Sequence, residues 1–468
     1  MVFSSSEFVF FFLPVVLLVY FVLLRKRGHR NVFLTLVSLF FYGWGEPWFM
    51  FVMLASIAFN WLCALQIDRR RETRGAKAWL TFSIIGNLSL LGTFKYLVFA
   101  LKSINAGFGA HIPVPEIVLP IGISFFTFQA MSYVIDVYRK DGKVQTNIMN
   151  VCLYVSFFPQ LIAGPIVRYQ TIADQIDGRV ETMDDFVRGA RRFMVGLGKK
   201  VILANSLALL VDNAFAHAPG ELSAGAAWLG AIAYLWQVYY DFSGYSDMAI
   251  GMGWMFGFHF LENFDYPMIS RSVTEFWRRW HISLGTWFRD YLFFPLGGSR
   301  VKSVWRLLFN MFVVWSLTGL WHGASWNYLF WGIGFFVLLS AERLTGLGKK
   351  LEKYPLAVLY AMIAIITITV MIRSNSLGYA AGYIGSMYGI HSNGFWDATA
   401  TLYVREYGVF VALALLIGLP IGKFVKGKLH MPERAFEILS AVGLIAVFAI
   451  SLSYIVMGGY NPFIYFNF

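Results

Sequence analysis

The chain has 468 residues, of which 58% are hydrophobic and 14% are charged, and its mean hydropathy is +0.61. Soluble domains carry about 25% charged residues, so this composition excludes an ordinary soluble protein and predicts a polytopic membrane protein. The net charge of +12 would suit a nucleic-acid partner, but the basic clusters fall between apolar runs, at residues 25–30, 69–77 and 139–143. That placement is typical of cytoplasmic loops and argues against nucleic acid.

Apolar runs in chain order predict the membrane helices. The first run has no basic leader and no small-residue cleavage site, so we expect it to be retained as a helix. The loops that follow are alternately basic and poor in charge, which predicts an external N-terminus. The runs before the central segment cover residues 8–24, 32–44, 49–67, 79–101, 119–138, 151–167, 201–215 and 228–258. Those after it lie around residues 327–339, 356–372, 408–421 and 435–456.

Two stretches depart from a simple membrane span. Pro159, Gly164 and Pro165 predict a kink or an end within 151–167, because proline removes a backbone donor and clashes with the preceding turn. Residues 184–200 have a basic amphipathic pattern, which predicts a separate helix lying on the cytoplasmic surface. The alternative is that the basic side chains of this helix bind the phosphates of an acyl donor.

The helix predicted over 228–258 carries polar residues at membrane depth. Asp241, Ser243 and Asp247 are costly there unless they are paired or hydrated. We favour structural support of a cavity for these three residues over direct chemistry. The glycines that follow do not match a dinucleotide-binding fingerprint, and small residues between membrane helices explain them better.

Residues 263–327 stand out as a candidate active-site segment. Residues 275–292 combine an apolar arc with a charged side, so they predict one helix in the membrane interface or beside a cavity. His281 falls where the two faces of that helix meet. His322 lies in the middle of an apolar run that is too long for one span, which predicts two broken helices meeting near Gly319, Gly323 and Asn327.

Two histidines in apolar surroundings predict general acid–base chemistry. Histidine titrates near neutral pH, and a neutral imidazole can take the proton from a hydroxyl that attacks a thioester carbonyl, which indicates acyl transfer. The alternative for His281 and His322 is a structural hydrogen-bonding role. No Cys, Glu or second His stands at ligand spacing from either histidine, so we expect no metal. The sequence contains neither a G-x-S-x-G elbow nor a P-loop.

Five motifs carry a resemblance to a known family. They are LPIGISF at 119–125, FFPQLIAGP at 157–165, YDFSGYSDMAIG at 240–251, EFWRRWHISL at 275–284 and LWHG at 320–323. Together they resemble the membrane-bound O-acyltransferase family, over essentially the whole chain. Within that family the chain is similar to the bacterial branch that holds the membrane subunits for alginate O-acetylation, peptidoglycan O-acetylation and teichoic-acid D-alanylation.

The resemblance implies an all-α polytopic membrane protein, with a ring of about 11 transmembrane helices plus interfacial and re-entrant helices around a central tunnel. It implies a single domain over 1–468, with His322 as the catalytic histidine at the neck of the tunnel and His281 as the second active-site histidine. The residues expected to line or support the tunnel are Asp241, Ser243, Asp247, Trp277, Trp280, Trp321 and Asn327.

The resemblance also implies substrates and partners. The donor would be a cytoplasmic thioester, either acetyl-coenzyme A or an acylated carrier protein, with no tightly bound cofactor. The acetyl group would cross the bacterial inner membrane to a polysaccharide through an extracytoplasmic acetyltransferase of the SGNH type. Two alternatives stay open: D-alanyl transfer to teichoic acid from a carrier protein, and a non-enzymatic transporter or scaffold.

The aromatic tail at 458–468 bears on this route. Tyr465 lies in a motif that resembles one associated with acyl shuttling in this branch, which predicts that its phenol receives the acyl group as an ester. The alternative is that Tyr465 anchors the C-terminus at the membrane interface, where aromatic residues are common.

Overall fold

The computed structural model describes residues 1–162, 164–420 and 432–462. Within these ranges all regular secondary structure is helical, and this confirms the prediction of an all-α polytopic membrane protein. The helices are α1 Glu7–Leu23, α2 Arg27–Gly43, α3 Phe49–Arg69, α4 Arg74–Phe108, α5 Ile123–Arg139, α6 Ile148–Ser156, α7 Phe158–Leu161, α8 Tyr169–Gly178, α9 Met183–Ala216, α10 Ala224–Met255, α11 Val273–Arg279, α12 Ile282–Phe288, α13 Val304–His322, α14 Trp326–Thr345, α15 Leu347–Leu351, α16 Ala357–Arg373, α17 Leu377–Met387, α18 Ala398–Ile417 and α19 Glu433–Val456.

Seven helices of the described chain are long and apolar enough to cross a membrane, judged by length and composition: α3, α4, α9, α13, α14, α18 and the Arg434–Val456 part of α19. Helices α1 and α16 are shorter apolar helices. The predicted number of about 11 spans, and their arrangement as a ring around a tunnel, stay predictions.

The chain forms two compact units. The first comprises Met1–Phe193 and Ser246–Leu261, and the second comprises Met194–Tyr245 and Glu262–Phe468. In the first unit α3 packs against α4 and α5, and α2 packs against α6. A chain of buried amides and hydroxyls joins α3 to α4: Asn60 Oδ1 accepts hydrogen bonds from Ser83 Oγ at 2.9 Å and Asn87 Nδ2 at 2.7 Å. The single domain inferred from the resemblance stays a prediction.

The second unit is built on the close pair of α13 and α14, and α14 packs in turn on α16. A β-carbon on Gly319 would lie 2.3 Å from the carbonyl oxygen of Tyr328, and one on Gly332 would lie 2.3 Å from that of Trp315. Only glycine permits so close a backbone approach, which is how membrane helices commonly pack. The pair therefore holds the end of α13, and with it His322, in a fixed place.

Most of the predicted helices are present with their ends shifted, but α8, α15 and α17 were not predicted. The expected kink in 151–167 is present, because α6 ends at Ser156 and α7 has Pro159 in its first turn. The predicted break between two helices is also present, since α13 ends at His322 and α14 begins at Trp326.

The separate surface helix predicted over 184–200 is wrong. Residues 183–216 form one continuous helix, α9, with a π-helical turn at Lys199–Ala204. Lys200, which separated the predicted surface helix from the apolar run at 201–215, is buried inside the second unit and paired with Asp241 at 2.6 Å. A charge that is neutralised within the protein does not end a helix, and sequence periodicity cannot reveal such a partner.

Candidate active site

His281 occupies a break between two helices. Helix α11 ends at Arg279 and α12 begins at Ile282, and His281 between them has φ +46° and ψ +50°. This left-handed conformation is rare for a residue with a β-carbon and costs about 1–3 kcal/mol, so the surrounding structure must enforce it. The single helix predicted over 275–292 is therefore wrong, and His281 is buried at the break instead of lying at a face boundary.

Backbone hydrogen bonds to a preceding segment hold this break. The amide of Asp265 donates to the carbonyl of Arg279 at 2.9 Å, and the amide of Ile282 donates to the carbonyl of Asn263 at 2.9 Å. The side-chain oxygen of Asn263 accepts from both the amide and the hydroxyl of Ser283, at 3.2 and 2.9 Å. Residues 263–265 therefore clasp both sides of the turn and fix the direction of the His281 ring.

Asn263 also sets the tautomer of His281. Its Oδ1 lies 3.2 Å from Nδ1 of the imidazole. Because the amide of Ser283 can only donate, the atom it reaches is the oxygen of Asn263, and Nδ1 of His281 must carry the proton. The lone pair is then on Nε2, which is buried and has no hydrogen-bond partner among the described residues.

Aromatic side chains enclose the His281 ring, which is 1% exposed. The ring centroid lies 4.5 Å from that of Phe242 and 6.0 Å from that of Trp321. His281 lies outside the candidate membrane-spanning helices, and burial, together with the nearby His322, holds the pKa of its imidazole well below the ordinary value. The ring is therefore neutral at physiological pH.

His322 faces His281 across the site. The two ring centroids are 6.2 Å apart, and the His322 ring is flanked by Trp321 at 5.0 Å and Trp331 at 5.1 Å. Extended backbone at Gly323 ends α13 directly after the histidine, and a β-carbon there would lie 2.2 Å from the ring of Tyr328. The structure thus brings the two predicted histidines together, while their catalytic roles stay predictions.

Two of the predicted tryptophans form a wall beside the histidines. Trp280 stacks on Phe276 with a centroid distance of 5.2 Å, and Trp277 meets Trp315 edge-on at 4.7 Å. Asn327 supports the backbone. Its Nδ2 donates to the carbonyl of Ser374 at 2.6 Å, and this hydrogen bond ties the start of α14 to the end of α16. The supporting roles of these residues stay predictions.

Both predicted carboxylates of α10 are paired with basic side chains, and Asp241 is buried. Asp241 lies 2.6 Å from Nζ of Lys200, and within the first unit Asp247 lies 2.9 Å from a guanidinium nitrogen of Arg192. Ser243 is 2% exposed. The role of Asp241, Ser243 and Asp247 in supporting a cavity stays a prediction.

Tyr465, the residue predicted to receive the acyl group, lies outside the described residues.

A cavity of about 390 Å³ opens beside His281. Its walls are mainly apolar, with three arginines among them. The residues that line it are Trp277, Arg278, His281, Ile282, Leu284, Gly285, Thr286, Phe288, Arg289, Phe293, Met311, Val314, Trp315, Thr318 and Arg343. Apolar walls with a few guanidinium groups suit a ligand that has both a carbon chain and phosphates. Sequence reasoning missed Arg343, which folding alone brings to the site, and assigned no role to Asn263, although the candidate active-site segment 263–327 begins with it.

A buried carboxylate positions the helix in front of His281. Glu342 is 2% exposed, and its oxygens accept from the amide of Val273 at 2.7 Å, the amide of Thr274 at 2.8 Å and the hydroxyl of Thr274 at 2.6 Å. These amides begin α11, so a negative charge there satisfies donors that have no partner within the helix. Glu342 therefore fixes the start of the segment that carries the tryptophans and His281.

Replacing Glu342 with alanine is expected to lower the free energy of unfolding by about 3 kcal/mol, because buried amide donors lose their acceptor. Glu342→Gln should lose less, since one amide oxygen remains as an acceptor. Thermal unfolding in detergent or nanodiscs measures the change. Glu406→Ala, at an exposed position on α18, is the control and should change stability by less than about 0.5 kcal/mol. Equal melting temperatures for Glu342→Ala and the control would contradict the role of Glu342.

Comparison of the sequence with known proteins gives one family match and several named relatives. The model of the MBOAT, membrane-bound O-acyltransferase family matches residues 139–367, a range that contains both histidines. The chain is 37% identical to "Probable alginate O-acetylase AlgI" of Pseudomonas putida over the full length of both proteins. It is 36% identical to "Peptidoglycan O-acetyltransferase" of Helicobacter pylori over 73% of this chain and 70% of that protein. It is 28% identical to "Teichoic acid D-alanyltransferase" of Bacillus subtilis over 49% of this chain and 60% of that protein.

Proposed function

The chain belongs to the membrane-bound O-acyltransferase family, and we propose that it transfers acetyl groups from a cytoplasmic thioester across the inner membrane for O-acetylation of an extracytoplasmic polysaccharide. Membership of an acyltransferase family decides against the transporter or scaffold alternative. The observation that carries the proposal is the facing pair of the buried His281 and the half-buried His322, with a cavity beside His281 that has arginines in its wall. The similarity to proteins named for O-acetylation is higher and more extensive than to those named for D-alanylation, which supports acetyl as the group.

The arginines in the cavity wall support the proposal that the acyl donor carries phosphate. Guanidinium groups bind phosphate through paired, charge-assisted hydrogen bonds, and Arg278, Arg289 and Arg343 all line the cavity. Coenzyme A and the phosphopantetheine arm of a carrier protein both combine phosphate with a thioester on a flexible chain. In the proposal, the arm lies along the apolar wall and the thioester carbonyl reaches the histidines.

The chemical step follows from the two imidazoles. His322 takes the proton of the attacking hydroxyl, the oxygen forms a bond to the acetyl carbonyl carbon, and the carbon–sulfur bond breaks. The thiolate leaves with the proton that the imidazolium returns. The neutral His281, whose Nδ1 proton is fixed on Asn263, presents its Nε2 lone pair beside the reacting groups and excludes water with its aromatic neighbours.

We assign the attacking hydroxyl of the first transfer to Tyr465, following the acyl-shuttle hypothesis. The acetyl ester on that phenol would then pass to an extracytoplasmic acetyltransferase of the SGNH type and from it to the polysaccharide. The alternative is that Tyr465 only anchors the C-terminus. Whether a labelled acetyl group reaches the C-terminal peptide distinguishes an acyl acceptor from an anchor.

Purified protein in lipid nanodiscs, given acetyl-coenzyme A labelled on the acetyl group, tests the proposal. We expect release of coenzyme A together with label on the C-terminal peptide, and Tyr465→Phe should abolish the peptide label. Release without peptide label would leave Tyr465 as an anchor. Turnover only with an acylated carrier protein would identify that donor, and turnover only with a D-alanyl carrier would replace acetylation by D-alanylation.

Arg343→Gln is expected to raise the KM for acetyl-coenzyme A about tenfold with little change in kcat, because one charge-assisted hydrogen bond to phosphate contributes about 1.4 kcal/mol. Initial rates of coenzyme A release over a range of donor concentrations measure the effect. Arg405→Gln, at an exposed position on α18, is the matched control. An unchanged KM in Arg343→Gln would remove the cavity arginine from donor binding.

A further inference from the structure

A buried ion pair in the second unit binds the end of the described chain. Lys200 and Asp241 lie 2.6 Å apart, and their side chains are 2% and 3% exposed. The ammonium group of Lys200 also donates a hydrogen bond to the backbone carbonyl of Pro462. Burying two charges costs desolvation energy that their attraction barely returns, so the pair is a poor stabilising device by itself. Its second contact, to the C-terminal segment, gives it a separate use.

Two neighbouring contacts extend this one along α9. Asn205 Nδ2 donates to Asn461 Oδ1 at 3.2 Å, and the Tyr460 hydroxyl donates to Asp212 Oδ2 at 2.6 Å. The consecutive residues 460, 461 and 462 thus meet helix residues 212, 205 and 200 in reverse order. The segment runs antiparallel to α9, from a half-exposed tyrosine to a buried lysine.

Asp212, the carboxylate that accepts from Tyr460, also pairs with an arginine of another helix. Asp212 Oδ1 accepts from a guanidinium nitrogen of Arg373 at 2.8 Å, while its Oδ2 accepts from Tyr460. Arg373 is the last residue of α16, and the carbonyl of the adjacent Ser374 accepts the hydrogen bond of Asn327. The contact with Tyr460 is therefore built on the same helix end that supports the start of α14.

The site of attachment adjoins the histidine site. Asp241 and Phe242 are consecutive residues of α10, and the Phe242 ring is the one that lies 4.5 Å from the His281 ring. Tyr239, one turn earlier, lies 6.0 Å from the ring of Trp280. One turn of α10 thus carries Asp241, which pairs with the lysine that holds the C-terminal segment, and the aromatic residues that contact the active-site wall.

We propose that Lys200, Asp241, Asn205 and Asp212 form a docking site for the chain's own C-terminal segment, and that Lys200 is a positioning residue for acyl transfer to the tail. The second part rests on the proposed function. Docking residues 460–462 fixes the point from which the aromatic tail starts. Holding an acceptor near its donor raises its effective concentration by orders of magnitude, so loss of docking slows transfer without weakening donor binding.

Two independent sets of changes test the docking site. Lys200→Met combined with Asp241→Asn removes both charges, so that neither remains buried and unpaired. Tyr460→Phe combined with Asn461→Ala alters only the C-terminal segment and leaves the interior unchanged. Tyr454→Phe, on the exposed face of α19, is the matched control.

Hydrogen–deuterium exchange of the peptide 457–468 in nanodiscs is the first measurement. We expect exchange at least tenfold faster in both docking variants and unchanged exchange in Tyr454→Phe. Exchange as slow as in the unmodified protein in both docking variants would overturn the docking site. The tail-side variant keeps this test decisive even where the interior variant fails to fold.

The kinetics of coenzyme A release are the second measurement. We expect kcat to fall at least tenfold in both docking variants while the KM for acetyl-coenzyme A stays unchanged. Faster exchange with an unchanged kcat would overturn the positioning role of Lys200. If the unmodified chain releases no coenzyme A, the proposed function fails, and the exchange experiment still decides the docking site.

Discussion

His322→Ala is expected to lower the rate of coenzyme A release by about 10³-fold, because it removes the group that takes the proton from the attacking hydroxyl. His322 ends α13 and holds its ring between Trp321 and Trp331, opposite His281. Alanine at a half-buried helix end leaves the backbone path to Gly323 unchanged, so the effect should fall on kcat. Single-turnover measurements with labelled donor separate the loss of chemistry from any loss of donor binding.

Two further variants show whether the lower rate of His322→Ala comes from lost proton transfer or from lost packing. His322→Gln keeps a hydrogen-bonding side chain of similar length but removes the base, so its rate should fall as far as that of alanine. His111→Ala, at an exposed position in the first unit, should retain full activity. If His322→Gln keeps more than a tenth of the normal rate, His322 holds the two tryptophans in place and does not take part in proton transfer.

The positions of the membrane helices could be predicted because hydrophobicity is a local property of the sequence. Apolar runs locate α1, α3 and α10 within a few residues, and proline and glycine locate the breaks. The prediction of a separate surface helix over 184–200 failed at α9 for a physical reason. A lysine on an apolar helix predicts the membrane boundary only when it faces water, and Lys200 faces Asp241, 41 residues further along the chain.

The two histidines of the candidate site could be predicted from the sequence, but the geometry of the site could not. The sequence shows two histidines in apolar surroundings, and burial then predicts neutral imidazoles. It does not show that His281 adopts a left-handed conformation, because that conformation is enforced by Asn263 and Ser283 through contacts between segments 18 to 20 residues apart. Helical periodicity places His281 on a face boundary only if the helix is continuous, and the clasp by residues 263–265 interrupts it.

The clasp also explains how the fold provides a histidine of fixed protonation. An ordinary exposed histidine exchanges between two tautomers and titrates near neutral pH. At His281, Asn263 fixes the proton on Nδ1, while burial and His322 keep the pKa of the ring low. The strain of the left-handed turn is the cost of holding the ring in this orientation.

Asn263→Asp is expected to move the acidic limb of the pH–rate profile to higher pH by about 1–2 units, because a carboxylate 3.2 Å from Nδ1 stabilises the imidazolium and raises the pKa of His281. In the unmodified protein this pKa lies well below its ordinary value, so the neutral ring, and with it the rate, persists to acidic pH and falls only as the pH drops through the low pKa. In the variant the same fall begins nearer neutrality. At pH 6 the variant should be at least tenfold slower, and at pH 8.5 it should recover most of the normal rate.

Asn263→Ala is the matched variant, because it removes the acceptor without adding a charge. It frees the Nδ1 proton, so part of the population has the lone pair on the wrong nitrogen, and the clasp on Ser283 is lost. We expect a loss of about 10²-fold that is the same at every pH above the acidic limb. The pH dependence of kcat/KM for coenzyme A release distinguishes the two variants. Parallel profiles for the aspartate and alanine variants would show that the protonation of His281 does not control the rate, and Asn263 would then act only through the geometry of the turn.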